Sequence, residues 1–172
     1  MGLIKRIALT SLSCPSCSAL PIGARCPARC ERNFVLGAWS ASFKHSREAG
    51  LIVATDWDEV MHGQIAKICS RPECRVLVAY GQVEDSFLAF VAGEPTEQVV
   101  YYCFVKESYR LNGIARALFS ALGVDPLKPF LFPAVTRALS DSSLRQKIPL
   151  ARRDPAVGRY PKQLRRRKSA PP

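Results

Sequence analysis

Between Val99 and Leu122 the chain reads VVYYCFVKESYRLNGIARALFSAL, and its hydrophobic pattern changes there from continuous to helical. Val99 to Val105 is a β-branched and aromatic run without Gly or Pro, the pattern of a central strand covered on both faces. Ile114, Ala117, Leu118, Ala121 and Leu122 then recur at three- and four-residue spacing, which predicts a helix from about Asn112 to Leu122 with Gly123 as its left-handed cap.

The same reading extends to both sides of this stretch. Arg75 to Tyr80 and Ser86 to Gly93 are apolar runs bounded by turn residues, so with Val99 to Val105 they predict a three-stranded antiparallel meander. Phe130 to Val135 predicts one more strand, kept short or at an edge by Pro133. Phe34 to Ser46 reads as a strand passing into a helix. Trp57, Val60, Met61, Ile65 and Ile68 predict a helix capped by Thr55 or Asp56 that stops before Arg71-Pro72. Thr136 to Lys147 is a weaker helical pattern carried by Leu139 and Leu144. Strands and helices in this order give an α/β (α+β) fold, a mixed and mostly antiparallel sheet flanked by helices.

Arg110-Leu111-Asn112-Gly113-Ile114-Ala115 joins the central strand to its helix. The first amides of a helix lack intrahelical partners and Gly113 permits close approach, so this turn is a candidate anion site. The run from Val105 to Leu118 resembles the acyl-CoA-binding motif of GNAT-type N-acyltransferases, and is similar to small phage-encoded members with a V-K-x-x-[YF]-R-x-x-G-I-A run. The resemblance spans roughly Phe34 to Val135. It implies a GNAT-like twisted sheet, acetyl-CoA as co-substrate, and transfer of the acetyl group to an amine of a small molecule or protein within a ternary complex.

On that resemblance the backbone of Phe104 and Val105 holds the thioester arm. The amides of Leu111, Asn112, Gly113, Ile114 and Ala115 hold the pyrophosphate, with Arg110 and Arg116 adding charge. Glu107 and the late Tyr160 are the candidate catalytic groups, with Tyr109 a further candidate base beside the clamp. Trp39, Ser42, Lys44 and His45 fall where the family's acceptor-binding residues often lie, although a tryptophan at helical spacing is more often core. Cys103 lacks a Cys/His/Asp setting and reads as a core thiol rather than a nucleophile. His62, one step off an apolar stripe, reads as a boundary histidine.

Composition narrows the partners. The 172 residues are 48% apolar, enough for one core, and the apolar runs are too short to span a bilayer. Lys5-Arg6 followed by a short apolar stretch imitates a secretory leader without a convincing cleavage site, so a cytoplasmic protein with no membrane contact is expected. The net charge of +11 is uneven: residues 1–32 carry five Lys/Arg and one Glu, whereas residues 137–172 carry eleven Lys/Arg and two Asp. Lys162, Arg165, Arg166, Arg167 and Lys168 make residues 161–172 a basic tail suited to weak nucleic-acid contact. The alternative function is therefore a non-catalytic protein of this fold acting through that tail on nucleic acid or a host protein.

Residues 1–32 are expected to be a Cys-rich, flexible and dispensable extension, and residues 33–160 the acyl-CoA-binding domain. Incomplete order is expected beyond about Tyr160. Cys14, Cys17, Cys26 and Cys30 could together hold a tetrahedral zinc, but their eight-residue gap is shorter than common zinc spacings, and no metal site is expected.

Overall fold

The computed structural model describes residues 2–18, 30–44, 57–83, 86–125, 130–132 and 151–153. These form strands β1 (Ile4–Thr10), β2 (Arg75–Gly81), β3 (Phe87–Glu94), β4 (Val99–Val105), β5 (Phe130–Phe132) and β6 (Ala151–Arg153). The helices are α1 (Pro15–Ser18), α2 (Glu31–Phe43), α3 (Trp57–Cys69) and α4 (Ile114–Leu122). The strands lie in the order β1-β2-β3-β4-β5-β6, antiparallel from β1 to β4 and parallel from β4 to β6. The mixed, mostly antiparallel α/β sheet expected from the sequence is what forms, and β4 is a central strand.

The two faces of the sheet bury separate clusters. On one, Val76, Val78, Tyr80, Phe90, Ala92 and Tyr102 meet Val35, Leu36, Trp39 and Phe43 of α2 and Trp57, Met61 and Ile65 of α3. On the other, Leu77, Ala79, Leu88, Val91 and Val100 meet Ile114, Leu118 and Leu122 of α4. Coverage on both faces explains why β2 and β3 are nearly continuous apolar runs. Each fully buried aliphatic side chain of α4 contributes about 1.5–3 kcal/mol.

Two bulges set which side chains share a face. Ala92 pairs with Tyr102 and Gly93 with Val100, leaving Tyr101 as the extra residue, so Tyr101 and Tyr102 both point towards α2 and α3. Ala79 pairs with Ala89 and Tyr80 with Phe87, and in the same way Leu88 and Ala89 both point towards α4. At Gly93 a Cβ would lie 2.4 Å from the Val99 carbonyl oxygen and 2.9 Å from Leu122 Cδ2, so glycine lets strand and helix meet there.

Three expectations need correction. Ile4–Thr10, assigned to a flexible extension, is a strand of the sheet, and Arg6 lies over the Tyr80 ring at 4.0 Å. The boundary at residue 32 therefore does not separate this segment from the folded unit. Phe34 does not begin a strand: the segment is helical from Glu31, because Val35, Leu36, Trp39 and Phe43 make a single buried stripe and the Cys30 Sγ accepts from Asn33 N–H as an N-cap. The Tyr80 hydroxyl donates to the Glu31 carboxylate and fixes the start of that helix on β2. Finally, β6 is an additional strand that the hydrophobic pattern did not predict.

Two helix ends fall where the pattern puts them. The helix after Trp57 ends at Cys69, before Arg71-Pro72, and Gly123 closes α4 in a left-handed conformation (φ 89°) with its N–H on the Phe119 and Ser120 carbonyls. Among the described residues no helix is long and apolar enough to cross a membrane. The predicted Thr136–Lys147 helix, Thr55 and Asp56, His45, Cys26 and the 161–172 tail lie outside the described residues.

Candidate functional site

The end of β4 and the start of α4 are joined by a 3-10 turn, Glu107–Tyr109, closed by Tyr109 N–H to the Lys106 carbonyl (2.9 Å) and Arg110 N–H to the Glu107 carbonyl (3.1 Å). Arg110 Nε donates to the Val105 carbonyl at 3.2 Å, and Asn112 Nδ2 to the Arg110 carbonyl at 3.0 Å. Leu111 (φ 66°) and Gly113 (φ 74°) both take the left-handed conformation, which turns the chain into α4.

The first α4 amide with a backbone partner is that of Ala117, which donates to the Gly113 carbonyl at 3.0 Å. The helix therefore starts at Ile114, two residues later than its pattern suggests. Among the described residues, the N–H groups of Leu111, Asn112, Gly113, Ile114, Ala115 and Arg116 find no protein acceptor. Unpartnered donors at the positive end of a helix are the kind of group that favours an anion, which makes this turn a candidate anion site. A Cβ on Gly113 would meet nothing within 4 Å. Leu111 is 91% exposed, Arg110, Asn112 and Arg116 are exposed, and the Ile114 side chain is buried under α4.

The ladder determines which β4 groups are available. Lys106 N–H donates to the Leu88 carbonyl, so residues 106, 104 and 102 point their backbone groups at β3, while those of Cys103 and Val105 point the other way. Among the described residues, β4 pairs with β5 only at Val99 and Leu131, supported by Leu131 N–H to the Gln98 carbonyl (2.9 Å). Among the described residues the Cys103 amide and carbonyl and the Val105 amide therefore have no strand partner. Phe104, expected to present its backbone here, is committed to Phe90; its ring packs on Phe90 and Phe34. Cys103 takes its place, and strand parity was the signal that could have found it.

The side chains sort as follows. Glu107 is exposed at the end of β4, and Tyr109 is half-buried against the α4 cluster. Burial pushes the Cys103 thiol up to about 12, so it is a poor nucleophile at neutral pH. Trp39 is core: it is 1% exposed and stacks on Tyr102 with ring centroids 5.1 Å apart. Burial raises the Tyr102 hydroxyl to about 12, with Ser42 opposing through a hydrogen bond. Lys44 is exposed and faces Asp58 at 3.9 Å. Tyr160 lies outside the described residues. Among the described residues no group of three or more His, Cys, Asp or Glu is placed to hold a metal ion. No protein-family model matches the chain, and no curated protein matches it.

Proposed function

We propose that the chain is an acetyl-CoA-dependent N-acyltransferase that moves an acetyl group to an amine of a small molecule or protein by direct transfer in a ternary complex. The observation that carries this reading is the meeting of two backbone surfaces across residues 106–113: six unpartnered amides opening α4, and the edge of β4 at Cys103 and Val105. The first suits a pyrophosphate, and the second suits an extended arm containing amides, which can join a strand edge by main-chain hydrogen bonds.

In this reading the α4 amides bind and orient the pyrophosphate, with the exposed Arg110 and Arg116 adding positive charge. The Cys103 and Val105 amides fix the arm so that the thioester carbonyl lies along β4, where an N–H can support its developing negative charge. Glu107, exposed beside the end of that strand, takes the amine proton directly or through a water. Tyr160 is the proposed proton donor to the leaving thiolate. The proposed compartment is the cytoplasm, a reading supported by the unbridged thiols of Cys69, Cys74 and Cys103.

The reaction is tested by incubating the protein with acetyl-CoA and a panel of primary amines and peptides, following release of the CoA thiol. Amine-dependent release is expected. If acetyl-CoA binds but no amine in a broad panel accelerates release, the binding half of the reading survives and the transferase half fails.

A further inference from the structure

Cys69 ends α3 and Cys74 immediately precedes β2. The turn between them is closed by Arg71 N–H to the Ile68 carbonyl (3.2 Å) and Cys74 N–H to the Arg71 carbonyl (3.0 Å). This turn places the two side chains on one side of the sheet: both are half-buried against the same core, both are unbridged, and each thiol shifts the protonation of the other. We propose that Cys69 and Cys74 form a reversible dithiol–disulfide site, in which Cys74 attacks a low-molecular-weight disulfide and Cys69 resolves the product.

The surroundings set the order of attack. The hydrogen bond from Cys69 holds the Cys74 thiol below its ordinary range and holds the Cys69 thiol above it. At Cys74, burial and the Glu94 carboxylate act against the thiolate, while the Arg71 guanidinium and the Gly93 N–H favour it. Arg71 is kept in place by donating to the Tyr101 hydroxyl at 2.6 Å, which in turn donates to Glu94 at 2.5 Å. The Arg71 side chain is 46% exposed and so presents positive charge to an incoming anionic disulfide such as oxidised glutathione.

The steps balance. The Cys74 thiolate attacks one sulfur of the small disulfide, forming a mixed disulfide and releasing one small thiolate, which takes a proton from water. Cys69 gives up its proton to solvent and attacks the Cys74 sulfur, displacing the second small thiolate. Two protein thiols are oxidised, and one small disulfide is reduced to two thiols. Closing the bond brings the sulfurs to about 2.05 Å. The Gly93 N–H, which favours the Cys74 thiolate, sits beside the β4 bulge, so oxidation of Cys74 acts at the point where β4 changes register.

The test uses the full chain, reduced, freed of reductant and exposed to oxidised glutathione at neutral pH, then alkylated and mapped by mass spectrometry. The expected product is a Cys69–Cys74 disulfide without a lasting glutathione adduct. Cys69→Ser should accumulate glutathione on Cys74. Cys74→Ser should modify Cys69 at least about tenfold more slowly than Cys69→Ser modifies Cys74. Circular dichroism checks that both variants are folded. No loss of thiol at either position, pairing of Cys74 with a different cysteine, or equal adduct formation in the two variants would overturn the proposal.

Discussion

Arg110 Nε donates to the Val105 carbonyl at 3.2 Å, tying the turn that opens α4 to the end of β4 five residues earlier. The contact engages the carbonyl of Val105 while its amide points away from β3, and it ties the turn carrying the unpartnered amides to the end of β4. Because Arg110 is exposed, Arg110→Ala is expected to lower stability by less than about 1 kcal/mol. It should weaken acetyl-CoA binding by about tenfold, through lost charge and lost positioning. Urea unfolding and calorimetry on the same preparation separate the two effects, and unchanged binding would remove Arg110 from the clamp.

Removing residues 1–30 takes away β1 and the Cys30 cap of α2. The β2 edge, with Val76 to Tyr80 along it, would then be exposed to pairing with other chains. A chain beginning at Glu31 is expected to aggregate or to lose its cooperative unfolding transition. A soluble product with an unchanged urea midpoint would show β1 to be dispensable.

Ser40, 2% exposed, accepts from Trp57 Nε1 at 2.9 Å and donates to Asp58 Oδ1 at 3.3 Å, joining α2 to α3. Ser40→Ala leaves the buried indole N–H without an acceptor and should cost about 1–3 kcal/mol. The urea midpoint should fall at constant m-value; no shift would mean that the indole finds another partner.

Burial holds the His62 imidazole below its ordinary value of 6.5, with Asp58 opposing and Arg32 and Lys44 assisting. Just below that value the unfolded chain binds more protons than the folded one, so stability is complete above about 6.5 and falls as pH drops beneath it. His62→Gln should flatten the stability difference between about pH 7.5 and pH 5.5. Identical pH dependence in both proteins would contradict this.

The meander was legible because β2, β3 and β4 are buried on both faces and therefore read as uninterrupted apolar runs. β1 was not, since Lys5, Arg6 and Leu9 face solvent on an edge strand and dilute the pattern. Phe34-Val35-Leu36 imitated a strand because three consecutive apolar residues fit either period, and only Trp39 and Phe43 further along settle the helix. The glycine turn and its amides could be read from residue types alone. Strand parity puts Cys103 and not Phe104 on the same side as Val105, but which side faces away from β3 follows only from the ladder register.

The most direct measurement is calorimetric titration of acetyl-CoA into the full chain and into Gly113→Glu. The Gly113 Cβ position is open, so the variant should fold with only the strain of a non-glycine residue at φ 74°, which Gly113→Ala shares and controls for. The carboxylate would stand among the six amides and repel a phosphate, removing one or more charge-assisted hydrogen bonds of about 1.5–3 kcal/mol each. The account predicts saturable binding to the full chain, a small loss in Gly113→Ala and at least about a tenfold loss in Gly113→Glu. Equal acetyl-CoA affinity in folded Gly113→Glu and in the unaltered protein would contradict it.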